Sequence, residues 1–292
     1  MMGTKSVVTR ASILVALSVE MAMSASLAIA KPPQSVSPIF NRPGAARPSI
    51  RRLRFKIPNI TGASGNREGG AARGCGIPQE EQIVVVLPQT TKIGLTVSDS
   101  PTVFVYVPKT DATQAELRLY KEEDAPYKNQ GAKGTSKEAG NPVATTTVAI
   151  ANTPGVVSVS IPAKANAPLL EVGKKYQWVF KLLCADDDDE SQNLEVYGTI
   201  QRETIPSELV QQLNKPATLE SADRYAQAGL WTETVKTLAE LRKNNPNDIN
   251  VARQWSDMLT DVEVGLGKIA QQPIINCCTA DSSARLTGEQ QQ

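Results

Sequence analysis

From Gln82 to Arg202 the chain is written in short apolar runs: QIVVVLP, KIGLTV, TVFVYVP, AELRLYK, VATTTVAI, GVVSVSIP, KKYQWVFKLLC and NLEVYGTIQR. Clusters of Pro, Gly, Asn or Asp separate them, and each run is rich in β-branched or aromatic residues. Several alternate strictly between apolar and polar positions, the period of a half-buried strand. In KKYQWVFKLLC, Tyr176, Trp178, Phe180 and Leu182 fall on one face, with Gln177 and Lys181 on the other. In NLEVYGTIQR the inner face takes Leu194, Val196, Gly198 and Ile200, leaving Glu195, Thr199 and Gln201 outside. A succession of about eight such strands without intervening helices predicts an antiparallel β-sandwich over residues 61–205, not a βαβ sheet. Residues 127–141 read as a long polar loop within it.

After Arg202 the period changes to that of helices. Pro206 can open a helix at its first turn, continued by SELVQQLNK. TLESADRYAQAG places Leu219, Ala222, Tyr225 and Ala226 at helical spacing and stops at Gly229. WTETVKTLAELRKNNP carries Val235, Leu238, Ala239 and Leu241 on one stripe, with Arg242 and Lys243 in its last turn and Pro246 beyond. Asp248 is the expected cap of a further helix bearing Val251, Trp255, Met258, Leu259 and Val262. The spacing of Tyr225, Leu238 and Pro246 is that of a single tetratricopeptide-like hairpin, over residues 206–275 with a capping helix. Tyr225, Trp231, Leu238 and Trp255 are then the candidate partner surface. Residues 276–292 read as a flexible tail.

The ends of the chain place it in the cell. Lys5 and Arg10, the apolar run ASILVALSV, and small residues at Ala28 and Ala30 make residues 1–30 an export signal. Glu20 interrupts the run, and no other stretch is apolar enough to span a bilayer. Residues 31–60, rich in Pro, Arg and Ser, form a basic linker. Without Lys5, Arg10 and Glu20 the chain holds 29 basic and 29 acidic residues. Nine of the basic ones fall in residues 31–75 against Glu68 alone, so the folded part is acidic and a poor match for nucleic acid. The basic arm suits weak contact with anionic surfaces. The expected location is the periplasm or the extracellular space, including association with an outer membrane.

Histidine is absent, which excludes Ser-His-Asp and Cys-His catalysis and histidine-bearing zinc sites. NREGGAARGC, residues 66–75, lacks the Gly-Lys-Ser/Thr of a phosphate loop and precedes a strand, although Arg67 and Arg73 remain candidate anion contacts. The contiguous Asp186–Asp189 lack the alternation of a calcium loop and read as a solvated turn. No cofactor, metal site or catalytic residue is predicted. Spatially paired carboxylates leave no local pattern, so a hydrolytic or carbohydrate-binding function stays open as the alternative.

Taken together, GNREGGAARGC, GLT at 94–96, PTVFVYVP, PGVVSVSIP, LEVGKKYQWVFKLLC and AGLWTETVKTLAELR resemble the cyanobacterial family catalogued as domain of unknown function 928. The similarity runs from about Thr61 to Ile275. It implies an exported or membrane-associated protein and brings no activity with it. Cys75 precedes the first strand, and Cys184 ends another in a chain bound for an oxidising compartment. A Cys75–Cys184 disulfide is therefore expected, with the fate of Cys277 and Cys278 open. The favoured function is a non-catalytic adaptor of the cell envelope that binds another envelope protein. Export makes a direct prediction: the mature protein from its native host begins at Lys31, as intact-mass measurement will register. A purified soluble protein starting at Met1 or Met2 would contradict it.

Overall fold

The computed structural model describes residues 52–275, except positions 61, 64–66, 70–74, 101, 128–139, 152, 162–167, 185–192 and 214. The predicted signal, most of the basic arm, most of the 127–141 loop, Arg73, Asp186–Asp189 and the tail with Cys277 and Cys278 lie outside the described residues.

Each apolar run becomes a strand. These are β1 (Val84–Val85), β2 (Ile93–Thr96), β3 (Thr102–Val107), β4 (Gln114–Lys121), β5 (Ala144–Ala149), β6 (Gly155–Ser160), β7 (Lys175–Leu183) and β8 (Leu194–Arg202). They form a three-stranded antiparallel sheet, β1-β3-β6, and a five-stranded sheet, β2-β8-β7-β4-β5. The second sheet corrects the expectation of purely antiparallel pairing: β2 runs parallel to β8, with Ile93 opposite Thr199 and Thr96 opposite Arg202. Parallel partners need a long crossover, and here the chain makes five other strands before β8 returns to β2. Alternation along one strand carries no record of its neighbour's direction.

Three helices follow, α1 (Leu219–Gln227), α2 (Trp231–Asn244) and α3 (Ile249–Leu259). Thr218 and Ser221 cap α1 reciprocally, each side chain bonding the other's backbone N–H at 3.0 Å. Gly229, at φ +74°, lets the chain leave α1 and re-enter a helix two residues later. Asp248 caps α3 by accepting from the Asn250 and Val251 amides. The segment after Pro206 forms a short 3-10 helix, Ser207–Gln212, in place of the expected α-helix.

One apolar cluster runs through both sheets and the helices, joining Val85, Val105, Trp178, Phe180, Trp231 and Trp255. The basic linker is not free up to residue 60: Leu53 and Phe55 are buried in that cluster. The Leu53 amide donates to Gln254 on α3, and Phe55 meets Trp231 edge-on at 4.9 Å. Two apolar side chains spaced to one face were enough to dock this stretch despite its charge. The far side of β7 and β8 is also covered. Tyr127 stacks on Tyr197 with ring centroids 4.2 Å apart and exchanges two hydrogen bonds with Gln177, so Gln177 is buried where solvent was expected; Thr199, opposite Ile93 of β2, is buried too.

Gly198 faces Trp178 across the β7–β8 ladder, and a Cβ there would lie 2.7 Å from the indole. The glycine is the space the ring occupies. Gly198→Ala is expected to destabilise the protein by about 1–3 kcal/mol through overpacking. Urea denaturation will read this as a lower midpoint at unchanged slope, and an unchanged midpoint would show that the ring has room to move.

Candidate functional site

The glycine-rich stretch before β1 acts as a close approach to the sheet. Gly69 donates to Ile83, the Val85 amide donates to Arg67, and a Cβ on Gly69 would lie 2.9 Å from Val196. The Arg67 guanidinium donates to the carbonyls of Leu87, Val264 and Gly265, at 3.1, 2.8 and 2.8 Å. Its donors are thus turned to backbone, and burial lowers its pKa, with Glu68 opposing. The anion role considered for Arg67 gives way to a structural one: it ties this stretch to the turn after α3.

Cys75 and Cys184 form a disulfide, with Cα atoms 4.5 Å apart across 109 positions. Cys75 sits at φ +64°, and its carbonyl accepts from the Thr110 hydroxyl and the Asp111 amide. Closing a loop of that length restrains the unfolded chain by on the order of 4–5 kcal/mol.

The four side chains put forward as a partner surface do not form one. Tyr225, Trp231, Leu238 and Trp255 are each at most 6% exposed. Trp231 donates from Nε1 to the Val86 carbonyl at 2.8 Å, and the Arg242 guanidinium covers Trp255 at 5.3 Å. Their helical spacing marks the face turned to the sheets. The exposed apolar residues of the helical part are others, such as Ile249 and Val262.

What the structure brings together instead is a cleft of about 440 Å³ where the ends of β2 and β8 meet α1 and α2. The loop after β2 contributes Ser98, Asp99 and Ser100, and β8 contributes Arg202. From α2 come Thr232, Glu233, Lys236, Thr237 and Glu240, with Lys215 and Ser221 alongside. A shallower pocket of about 200 Å³ between α2 and strands β3 and β6 shares Thr102, Lys236 and Glu240 with it.

Glu233 is the centre of the cleft's chemistry. It lies in the first turn of α2 and is 8% exposed. Its Oε1 accepts from the Thr96 hydroxyl at 2.6 Å and the Val97 amide at 3.0 Å, tying α2 to the end of β2. Its Oε2 is buried as well. Burial pushes the carboxyl above the ordinary range, while hydrogen bonds from the Thr96 hydroxyl and from the Val97, Glu233 and Ser98 amides pull the other way. Arg202 has a matching feature. Its Nη1 donates to the Leu170 carbonyl at 2.7 Å, while its buried Nε has no partner among the described residues. Buried polar atoms of this kind are costly to leave unpaired.

Sequence reasoning passed over both residues. A glutamate in a helix's first turn reads as a partner for the helix dipole, and an arginine ending a strand reads as an exposed charge. Nothing local indicates that β2 will lie beside β8 and close the space around them. Among the described residues no group of three His, Cys, Asp or Glu could hold a metal ion, and no helix is long and apolar enough to cross a membrane.

Two sheets sharing a core with C-terminal helices, and a polar cleft at their junction, define a mostly β protein. The chain belongs to the family described as Domain of Unknown Function (DUF928), which matches residues 68–274, more than half of its length. No curated protein and no solved structure matches it.

The buried acid makes stability depend on pH. The folded state favours the neutral carboxyl, so its contribution is full below the ordinary carboxylate pKa of about 4.3 and is lost as pH rises through the folded value. Glu233→Gln, neutral throughout, escapes this loss. Thermal melts from about pH 4 to about pH 8 are expected to show the variant gaining on the natural protein as pH rises. A constant difference would mean that Glu233 is ionised in the fold.

Proposed function

We propose that this is a non-catalytic binding protein of the cell exterior that takes a small, hydroxyl-rich, sugar-like ligand in the cleft between β2, β8, α1 and α2. The observation that carries the reading is one concave space lined by charged side chains, Arg202, Lys215, Glu233 and Lys236 among them, together with several hydroxyls. Its volume lies in the range of small-molecule sites. Hydroxyls of Ser98, Ser100, Thr232 and Thr237 around it suit a ligand that both donates and accepts hydrogen bonds. The envelope adaptor that the helical spacing suggested has less support, since the residues offered as its contact surface are core.

The export signal and the Cys75–Cys184 bridge support a location in an oxidising compartment. In this reading the two sheets are the leaves of a sandwich. The α1–α2 pair is a lone tetratricopeptide-like hairpin capped by α3, its apolar stripe spent against the sheets.

Calorimetric titration of the chain from residue 31 with D-glucose, D-galactose, D-glucuronate and D-galacturonate tests the proposal. At least one is expected to bind saturably. Thr237→Val, which removes one cleft hydroxyl, should weaken it about fivefold. Absence of binding by all four, or binding indifferent to Thr237→Val, would reject the cleft as a sugar site.

A further inference from the structure

The cleft has a neighbour, and the pair of spaces lengthens the ligand beyond the sugar-like reading on which this inference rests. We propose that the cleft and the shallower pocket beside it are two subsites of one groove, and that the ligand is a chain of at least two linked sugars and not a single one. Thr102 at the start of β3 and Lys236 and Glu240 on α2 line both spaces. Along α2 the cleft reaches from Thr232 to Glu240, and the pocket from Lys236 to Lys243. The second space is thus displaced from the first by about one turn of the helix, roughly 5.4 Å along its axis. Consecutive rings of a sugar chain are offset by a step of that size.

The side chains offered to the ligand along this groove stand at the surface. Lys236, Glu240 and Lys243 on α2 and Ser160 on β6 are exposed, and Ser158 is half-buried. Where the two spaces join, the Thr102 hydroxyl lies 2.8 Å from that of Ser160. Lys236 adds a donor and Glu240 an acceptor there. The join therefore presents both kinds of partner that the hydroxyls on either side of a glycosidic link require.

The second pocket differs from the cleft in carrying apolar side chains, Phe104, Ala239, Ile274 and Ile275, beside its two serines. An apolar lining with a few polar groups is what a sugar ring needs, since its C–H face packs on the one while its hydroxyls bond the other. The pocket is also pre-formed. The register of β3 and β6 sets Phe104 opposite Ser158 and Thr102 opposite Ser160, all four on one face of the sheet. The Val156 amide donates to the Pro273 carbonyl at 2.8 Å and the Ile275 amide to the Val156 carbonyl at 2.9 Å, which fixes residues 273–275 beside β6. A single sugar in the cleft leaves this surface unused. A second ring linked to it reaches the surface without paying again for lost translational freedom, and affinity rises accordingly.

The test titrates the full chain from residue 31 calorimetrically with monosaccharides and with disaccharides built from them. D-glucose is set beside cellobiose and maltose, D-galactose beside galactobiose, and D-galacturonate beside digalacturonate. At least one disaccharide is expected to bind about tenfold or more tightly than its own monosaccharide. Ser158→Tyr, which fills the second pocket at a strand position that suits an aromatic, should cut that ratio to less than about threefold. Thr237→Val, which alters the cleft alone, should weaken both sugars and keep the ratio. Equal affinity of every disaccharide and its monosaccharide would overturn this inference and leave the cleft standing as a site for one sugar. A ratio that survives in a folded Ser158→Tyr would remove the second pocket from the site, and binding of none of these sugars would sink both readings. Should Ser158→Tyr fail to fold, as judged by circular dichroism, Lys243→Ala decides instead, because this exposed side chain lines only the second pocket. Its loss should lower the ratio about threefold, and an unchanged ratio would overturn the placement.

Discussion

The junction between helices and sheets depends on the indole of Trp231. It opens α2, packs edge-on against Phe55, and donates its N–H to the Val86 carbonyl beside β1. Its ring also lies next to Gly94 of β2, in ordinary contact distance of where a Cβ would be. A single residue thus touches the docked arm and both sheets. Because the indole is fully buried and its one polar atom is satisfied, it fixes both the position and the rotation of α2. That rotation carries Glu233, two residues on, to the end of β2. The cleft is a consequence of how this one ring is held.

This dependence explains what could be read in the sequence. Strands are local statements, and the alternation of Tyr176, Trp178, Phe180 and Leu182 needs no partner to be recognised. Helix ends are equally local: Gly229 and Asp248 act through their own backbone and their nearest amides. The disulfide was legible because both cysteines flank strands. Pairing direction, docking of the arm and occlusion of β7's second face are relations between distant segments. Gln177 is buried only because Tyr127, fifty positions earlier, lies across it. An apolar stripe likewise says that a helix face is covered but not by what, so Tyr225, Leu238 and Trp255 read equally well as a surface for another protein.

The cleft itself was illegible for a stronger reason. Its parts are polar residues in places where polar residues are unremarkable, and their meaning comes from burial. Thr96 and Val97 bond one oxygen of Glu233, and that contact anchors α2 to β2. An asparagine or serine could cap the same backbone with a smaller buried group. The side chain present carries a second oxygen that is buried too, at a desolvation cost that anchoring alone does not require.

A comparison of two arginines separates the structural from the functional. Arg67 and Arg202 are both partly buried and both bond backbone carbonyls. Arg67 spreads its donors over three carbonyls and closes the gap between the glycine-rich stretch and the turn after α3. Arg202 engages Leu170 through one nitrogen, while another faces no acceptor among the described residues. If its work were only to hold the segment at Leu170 against β8, a neutral donor would do it without bringing a charge into a partly dry space. Arg202 and Glu233, from a strand and a helix, line the same cleft.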